Sequence, residues 1–404
     1  MNISPAEQAA LSGIDLAAML AQVEGWCAVN SGSRNLAGLA ETAALLAKAF
    51  APLGEVRFSD PAEASQMLPG GEVVPLAHGR NLHLVVRPQA PTRLLLTGHY
   101  DTVFPADHPF QSLAWREPGI LNGPGVADMK GGIAVMLAAL TALEASPWAQ
   151  DLGYEVVLNA DEEVSSLGSA PLLADAARRV DAGLTFEPAL PDGTLAGARP
   201  GSGNFAIHIA GRAAHAGREP EKGRNAVVAA ADLALRLAAL VAPDLKVNVA
   251  KIEGGGPNNV VPDSAVIRVN MRPATVAAEA RALAALEAAM AAVAAAHEVS
   301  AHRHGHFARP PKPLDANQLR LFELVKAAGA DLGLAIGWRD AGGVCDGNNL
   351  AATGLAVVDT LGVRGGAIHS AEEYLVVESL GERARLAGLL LMRIARSGFR
   401  RAPL

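Results

Sequence analysis

The sequence predicts an α/β layered fold with a largely parallel sheet, interrupted by a smaller α+β unit. Three observations carry this. Over roughly the first 190 residues, helical and strand patterns alternate, as they do when helices cross over between parallel strands. From Arg199 the order changes to β-α-β-β-α-β, that of a self-contained ferredoxin-like unit. Pro310, Pro311 and Pro313 punctuate its end, after which the α/β pattern resumes. The expected divisions are 1–198, 199–311 and 312–404, with the first and last forming one domain.

Taken in order, Ile14 to Val29 and Leu36 to Phe50 read as helices, and Asn81 to Val86 and Arg93 to Gly98 as strands. A helix from Met129 to Glu144, a strand from Tyr154 to Ala160, a helix from Pro171 to Arg179 and a strand from Ala182 to Phe186 follow. Arg199-Pro-Gly-Ser-Gly reads as a hinge. Beyond it come the strand Asn204 to Ala210 and the helix Asn225 to Val241. Strands from Leu245 to Ile252 and Ser264 to Met271, an alanine-rich helix from Ala277 to His297 and an extended run from Glu298 to His306 complete the unit. The chain closes with the helix Asn317 to Gly329, the strand Ala356 to Asp359 and the helix Glu378 to Ser397.

Of the 404 residues, half are hydrophobic and 19% charged, which excludes wholesale disorder and supplies two or three cores. Thirty-four basic and 41 acidic side chains give a net charge of −7 without basic runs, which argues against nucleic acid as a partner. Two cysteines, Cys27 and Cys345, make no disulfide framework. The first positive side chain is Arg34, unlike the cationic start of a secretory signal. The longest apolar stretches, such as Gly131 to Leu143, are shorter than the roughly 20 residues that span a bilayer. The expectation is a soluble, cytoplasmic protein with no membrane partner.

Chemistry collects at the strand ends. Arg93-Leu-Leu-Leu-Thr-Gly runs into His99-Tyr-Asp101, and Tyr154 to Ala160 runs into Asp161-Glu162-Glu163. Ala182 to Phe186 runs into Glu187, and the last strand leads through a glycine-rich loop to His369. Asp128 lies just before a helix, where it also reads as an N-cap. Open α/β sheets bind ligands outside the carboxyl ends of their strands, and imidazole with carboxylate is a zinc-type donor set. In His99-x-Asp101 the two side chains point the same way, so one can ligate while the other orients it. Adjacent Glu162 and Glu163 diverge, so one can ligate while the other acts as general base.

These runs carry a resemblance. Gly98-His-Tyr-Asp-Thr-Val-Phe, Gly123-Pro-Gly-Val-Ala-Asp-Met-Lys-Gly-Gly, Asp161-Glu-Glu, Phe186-Glu-Pro, Gly211-Arg-Ala-Ala-His-Ala-Gly, Asn259-Val-Val-Pro and Ile368-His-Ser resemble, in order, the co-catalytic dizinc metallopeptidase family. That family includes carboxypeptidase G, acetylornithine deacetylase, succinyl-diaminopimelate desuccinylase and aminoacylase; the look is closest to the carboxypeptidase G branch. The resemblance implies a zinc-peptidase domain with an inserted ferredoxin-like dimerisation domain. It implies two Zn2+ per chain, with Co2+ or Mn2+ as substitutes, bridged by Asp128. His99 and Glu187 would complete one site, Glu163 and His369 the other. Glu162 would be the general base toward a metal-bridging water, and Asp101 would orient His99. His215 would reach the partner's active site in a homodimer, and Asn259 and Arg272 would contact substrate. Glutamate at 187 goes with carboxypeptidases and deacylases, whereas aminopeptidases tend to carry aspartate. The implied substrate is a small peptide or N-acyl amino acid with a free C-terminal carboxylate.

Other features read as structural. Cys345 stands where relatives commonly have serine or threonine, and no base accompanies it. His302-Arg-His-Gly-His306 could hold a further metal at alternate strand positions but reads rather as an exposed strand face; Arg199, Arg303 and Arg309 are loose candidates for substrate contacts, with an ordinary surface role the favoured reading for each. A nucleotide site is excluded by the lack of Gly-x-Gly-x-x-Gly or a Walker lysine, and a serine hydrolase by the lack of Gly-x-Ser-x-Gly. A metal-binding, non-catalytic relative is the alternative from another class.

Overall fold

The computed structural model describes residues 2–400. Its principal strands, in chain order, are β1 (Val56–Ser59), β2 (Asn81–Val86), β3 (Thr92–His99), β4 (Leu152–Asn159), β5 (Ala182–Thr185), β6 (Ser202–Ala210), β7 (Leu245–Gly254), β8 (Ser264–Pro273), β9 (Ser300–Arg309) and β10 (Ala356–Val358). The helices that position the site are α1 (Leu16–Cys27), α2 (Leu36–Phe50), α3 (Gly131–Glu144), α4 (Ala170–Arg178), α5 (Ala226–Ala238), α6 (Val276–His297), α7 (Ala316–Asp331), α8 (Asp346–Ala351) and α9 (Glu378–Ser397).

The larger sheet runs β1-β2-β4-β3-β5-β10. The pairs β3–β4, β3–β5 and β5–β10 are parallel, while β1–β2 and β2–β4 are antiparallel. The sheet is therefore mixed, with its parallel part where α3 and α4 carry the chain back between strands. Both faces of that part are covered, so β3 is apolar along its middle rather than alternating. Leu94 and Leu96 enter the core formed with α2, α3 and α9. Leu95 faces the opposite core, with Val157, Leu173, Ala176 and Leu350. Each buried leucine contributes roughly 1.5–3 kcal/mol over an exposed one. Parallel strands end on a common edge, which brings the loops after β3, β4, β5 and β10 together.

The second sheet, β7-β8-β6-β9, is antiparallel throughout. With its strands renumbered from one, the order is 2-3-1-4, the ferredoxin-like arrangement read from the sequence. Helices α5 and α6 cover one face through Ala229, Leu233, Leu237, Leu286 and Val293. The opposite face meets a hairpin from the first part of the chain, Ser65–Met67 paired with Val73–Pro75. Met67 packs there with Ala206 and Val266, and Arg268 donates to the Met67 carbonyl at 2.9 Å. Where the chain enters and leaves this unit, Arg199 and Lys312 exchange backbone hydrogen bonds of 2.9 Å each.

Several expectations shift. Asp128 does not cap α3: the helix starts at Gly131, and Asp128 and Met129 have non-helical backbone angles. Gly132 packs so close to β5 that a Cβ would lie 1.9 Å from the Phe186 carbonyl oxygen, which ties the start of α3 to the sheet. The hairpin, a small antiparallel sheet (Ala114–Glu117, Ile120–Asn122, Gly365–Gly366, Tyr374–Val376) and α8 had no sequence counterpart, because segments this short show no period. Two segments, Leu36–Leu53 and Val126–Glu144, are long and apolar enough to cross a membrane by length and composition alone, contrary to the sequence estimate. The second is 89% buried here and forms the central helix of the larger core.

Two glycines of contrasting surroundings test this packing. Gly132→Ala should destabilise by about 2–3 kcal/mol in urea titrations, since backbone must move to admit the methyl group. Gly25→Ala, in the open interior of α1, should instead stabilise by about 0.5–1 kcal/mol.

Candidate metal centre and active site

The last residue of β3 is His99, and Asp101, two residues on, sits beside its ring at the same sheet edge. β4 ends at Asn159 and passes through Asp161 into a single tight turn at Glu162–Val164, which separates the two glutamates. Glu187 follows β5. His369 follows the loop after β10 and adopts a φ of 64°, a left-handed backbone unusual for a side chain of this size.

These residues converge. His99 Nε2 lies 3.1 Å from Asp128 Oδ1 and 3.7 Å from Glu187 Oε2. His369 Nε2 lies 3.3 Å from Asp128 Oδ2 and 3.1 Å from Glu163 Oε2. Asp128 thus turns one oxygen to each histidine. Two sets, His99 with Asp128 and Glu163, and His99 with Glu162 and Glu187, present donor atoms within 4.8 Å of one another. On the far side of His99, Nδ1 is 3.1 Å from the Asp101 carbonyl and 3.3 Å from its carboxylate. The Asp101 carboxylate, fully buried, also accepts the backbone amides of Glu162 (3.1 Å) and Glu163 (3.2 Å) and the Ser33 hydroxyl (2.7 Å). One side chain therefore aligns the end of β3 with the turn after β4, a role that the sequence did not reveal.

Asp128 has a support of its own. Buried Glu373 accepts the backbone amides of Gly125 (3.1 Å), Ala127 (3.0 Å) and Asp128 (3.0 Å), clamping the loop that presents the aspartate. Its only sequence signal is its place four residues after His369.

Charge in the cluster is frustrated. Burial, reinforced by Asp128, lifts Glu163 to about 7. Burial also raises Glu162 well above the usual carboxylate range, although Arg309 opposes it. Burial alone would lower His99, but Glu187, Asp101 and Asp128 outweigh it and hold its pKa well up. Hydrogen bonds to Asp128 and Glu163 push His369 to about 11. Asp128 stays low because both histidines outweigh its burial. Protons held on imidazoles and a carboxylate packed this tightly are what divalent cations displace. Donor atoms around a tetrahedral zinc sit about 3.3 Å apart, close to the separations here. The donor set therefore fits a pair of such ions.

The cluster opens into a cleft of about 1020 Å³ between the strand-end edge and the second sheet. Asp128, Glu162, Glu163, Glu187 and His369 line one wall, and Asn270 and Arg272 the other. Arg272 bonds to Asn270 Oδ1 (2.9 Å) and the Gly342 carbonyl (3.3 Å). His215 and Asn259 are elsewhere: both are exposed, and neither is among the described residues that line the cleft. They meet on a short ribbon, Ala214–His215 paired with Val260–Val261, where Asn259 O accepts the Ala216 amide at 2.9 Å.

Two arginines read as surface residues are not. Arg199 bonds to buried Asp359 (2.8 Å) and the Gly343 carbonyl (3.1 Å), and Arg309 is buried against Glu162. Each sits where the chain crosses between the sheets, so it is covered by both; no local pattern announces that. Arg303 does lie at the surface, paired with Glu287. Cys345 is buried and caps α8, its sulfur accepting the Gly347 amide at 3.3 Å. Its thiol is raised well above its usual range by burial. Among the described residues, His302, His304 and His306 form no metal-holding group; His304 instead bonds to Ser65 at 2.9 Å.

Two histidines and several carboxylates at the parallel edge of an α/β sheet define a candidate site for divalent metal. Residues 95–393 match Peptidase family M20/M25/M40, and the chain belongs to that family of metallopeptidases and amidohydrolases. Carboxypeptidase G2 of Pseudomonas sp. (strain RS-16) is 32% identical over 327 residues, spanning 78% of this chain and 77% of that protein. A tripeptidase from Staphylococcus aureus superposes with a TM-score of 0.73 at 21% identity, covering 95% of this chain and all of its own. The YXEP protein of Bacillus subtilis, a dinuclear metal-binding peptidase of the M20 family, superposes with a TM-score of 0.65 at 16% identity over 95% of this chain and 99% of its own.

Glu373→Gln should weaken divalent-ion binding about 10–100-fold while leaving every donor in place, because an amide cannot accept from three backbone N–H groups. Calorimetric titration with zinc measures it.

Proposed function

We propose that the chain is a carboxypeptidase G-like amidohydrolase that cleaves the amide bond of a peptide or N-acyl amino acid with a free C-terminal carboxylate. The observation that carries this is the pairing of one Asp128 oxygen with His99 and the other with His369, beside Glu162 in a cleft whose far wall presents Arg272. His99, Asp128 and Glu187 would hold one ion, and Asp128, Glu163 and His369 the other. Two such ions, zinc in this reading, would supply the polarisation of a scissile carbonyl and would make water acidic enough to attack near neutral pH.

The chain's own residues supply the rest. Asp101 fixes the His99 ring through Nδ1, leaving Nε2 toward the cluster. Glu162 takes the proton of the attacking water at its carboxylate and returns it to the leaving nitrogen. Arg272 grips the substrate carboxylate, for which a guanidinium's parallel donors are suited. We assign residues 1–198 and 312–404 to a catalytic domain and 199–311 to a dimerisation domain. In that homodimer His215 and Asn259 serve the partner's cleft. His215 Nδ1 accepts the Gly217 (3.1 Å) and Arg218 (3.2 Å) amides, so its proton resides on Nε2, ready to donate to a developing oxyanion.

Blocked dipeptides and N-acyl amino acids, assayed beside unblocked di- and tripeptides, test the reading. Chelator-sensitive release of free amino acid from the blocked compounds is expected; cleavage only where an N-terminal amine is free would make the protein an aminopeptidase instead. Glu162→Ala should lower kcat by at least about 100-fold with both metals retained, as counted by elemental analysis. Unchanged turnover in that variant would remove Glu162 from the chemistry. A verified monomer that keeps full activity would sink the role of His215 in trans.

A further inference from the structure

The group that decides how Glu162 sits comes from outside the larger sheet. Arg309, the last residue of β9, is only 3% exposed. Its Nη2 donates to the Glu162 carboxylate oxygen Oε1 (2.7 Å), to the Glu162 carbonyl (2.9 Å) and to Ser166 Oγ (2.9 Å). Its Nη1 donates to Asp346 Oδ1 (2.8 Å) and Asn349 Oδ1 (3.0 Å). The four Nη hydrogens thus face five acceptors within the protein. Oε2 of Glu162 takes no hydrogen bond among the described residues, while Glu162 as a whole lies within reach of His99 and Glu187.

The backbone around Arg309 is pinned on both sides. Asn349 Nδ2 donates to the Ala308 carbonyl (3.1 Å), and Asn348 Nδ2 to those of Pro310 (2.8 Å) and Pro200 (2.9 Å). One helix, α8, therefore holds both crossings of the chain between the sheets and the anion that anchors Arg309.

Resting on the amidohydrolase reading, we propose that Arg309 is the positioning residue for Glu162: it immobilises one carboxylate oxygen, so that the other faces the metal-ligand cluster, and ties that geometry to the seating of the second sheet. A free glutamate side chain samples several rotamers, and only those that aim an oxygen at the attacking water are productive. A bidentate hold on backbone and side chain together selects one of them.

Arg309→Gln and Arg309→Lys, loaded with zinc, test this. We expect kcat to fall about 100-fold in the glutamine variant, with KM within about threefold, and a smaller loss in the lysine variant. Added guanidinium should restore part of the kcat of Arg309→Ala, a response that a purely structural arginine would not give. Crystal structures should show the Glu162 side chain turned or disordered in Arg309→Gln, with Asp128, Glu163 and Glu187 in place. Should these variants fail to fold, Asn349→Ala, which removes one support of Nη1, should still lower kcat about threefold to tenfold. A raised KM at constant kcat would make Arg309 a substrate contact and overturn the proposal, as would an unmoved Glu162 in Arg309→Gln. A wild-type chain inactive on every amide would defeat the function reading alone, since the position of Glu162 is read from the crystals independently.

Discussion

Four carboxylates crowded into one poorly solvated volume set the terms for everything around them. Asp128, Glu162, Glu163 and Glu187 all lie within reach of His99, and Asp128 and Glu163 also of His369, at most slightly exposed. Like charges at such range repel strongly where little water screens them. Each carboxylate therefore has compensation built around it: imidazole for Asp128 and Glu163, a guanidinium for Glu162, and His99 with the charge of Arg199 for Glu187. Cations complete a balance that the protein leaves unfinished.

Holding such groups in place needs supports beyond the donors themselves. Asp101 joins the His99 ring to the Glu162–Glu163 amides, and Glu373 grips three amides of the Asp128 loop. Both are buried acids that accept from backbone, so their partners cannot rotate away as side chains do. The site is a set of backbone turns held against one another, with the donors as their tips.

The second sheet takes part in this even within a single chain. Arg199 and Arg309 mark the two crossings between the sheets, and each sends its guanidinium into the base of the cleft. Asn348 ties both crossings to α8. Arg272 and Asn270 meanwhile supply the opposite wall. The cleft is thus lined from both sheets, and Glu162 is held by a residue of the second.

Much was legible in the sequence. Strand ends of a parallel sheet share an edge by construction, so His99, Glu162, Glu163, Glu187 and His369 could be gathered there from strand patterns alone. The β-α-β-β-α-β order likewise fixed the second sheet, because periodicity over eight or more residues survives without tertiary context. Strands of two to four residues did not show, having too few positions to reveal a period. Charged residues misled for a related reason. A lone arginine before a proline looks like surface, and only the packing of two sheets against α8 buries Arg309 beside Glu162. Asp101 and Glu373 were visible as residue types, but their grip on backbone amides depends on turns that meet only in the folded chain. Local pattern thus determined which groups reach the edge; long-range contacts, which no window of sequence contains, decided how each one is held.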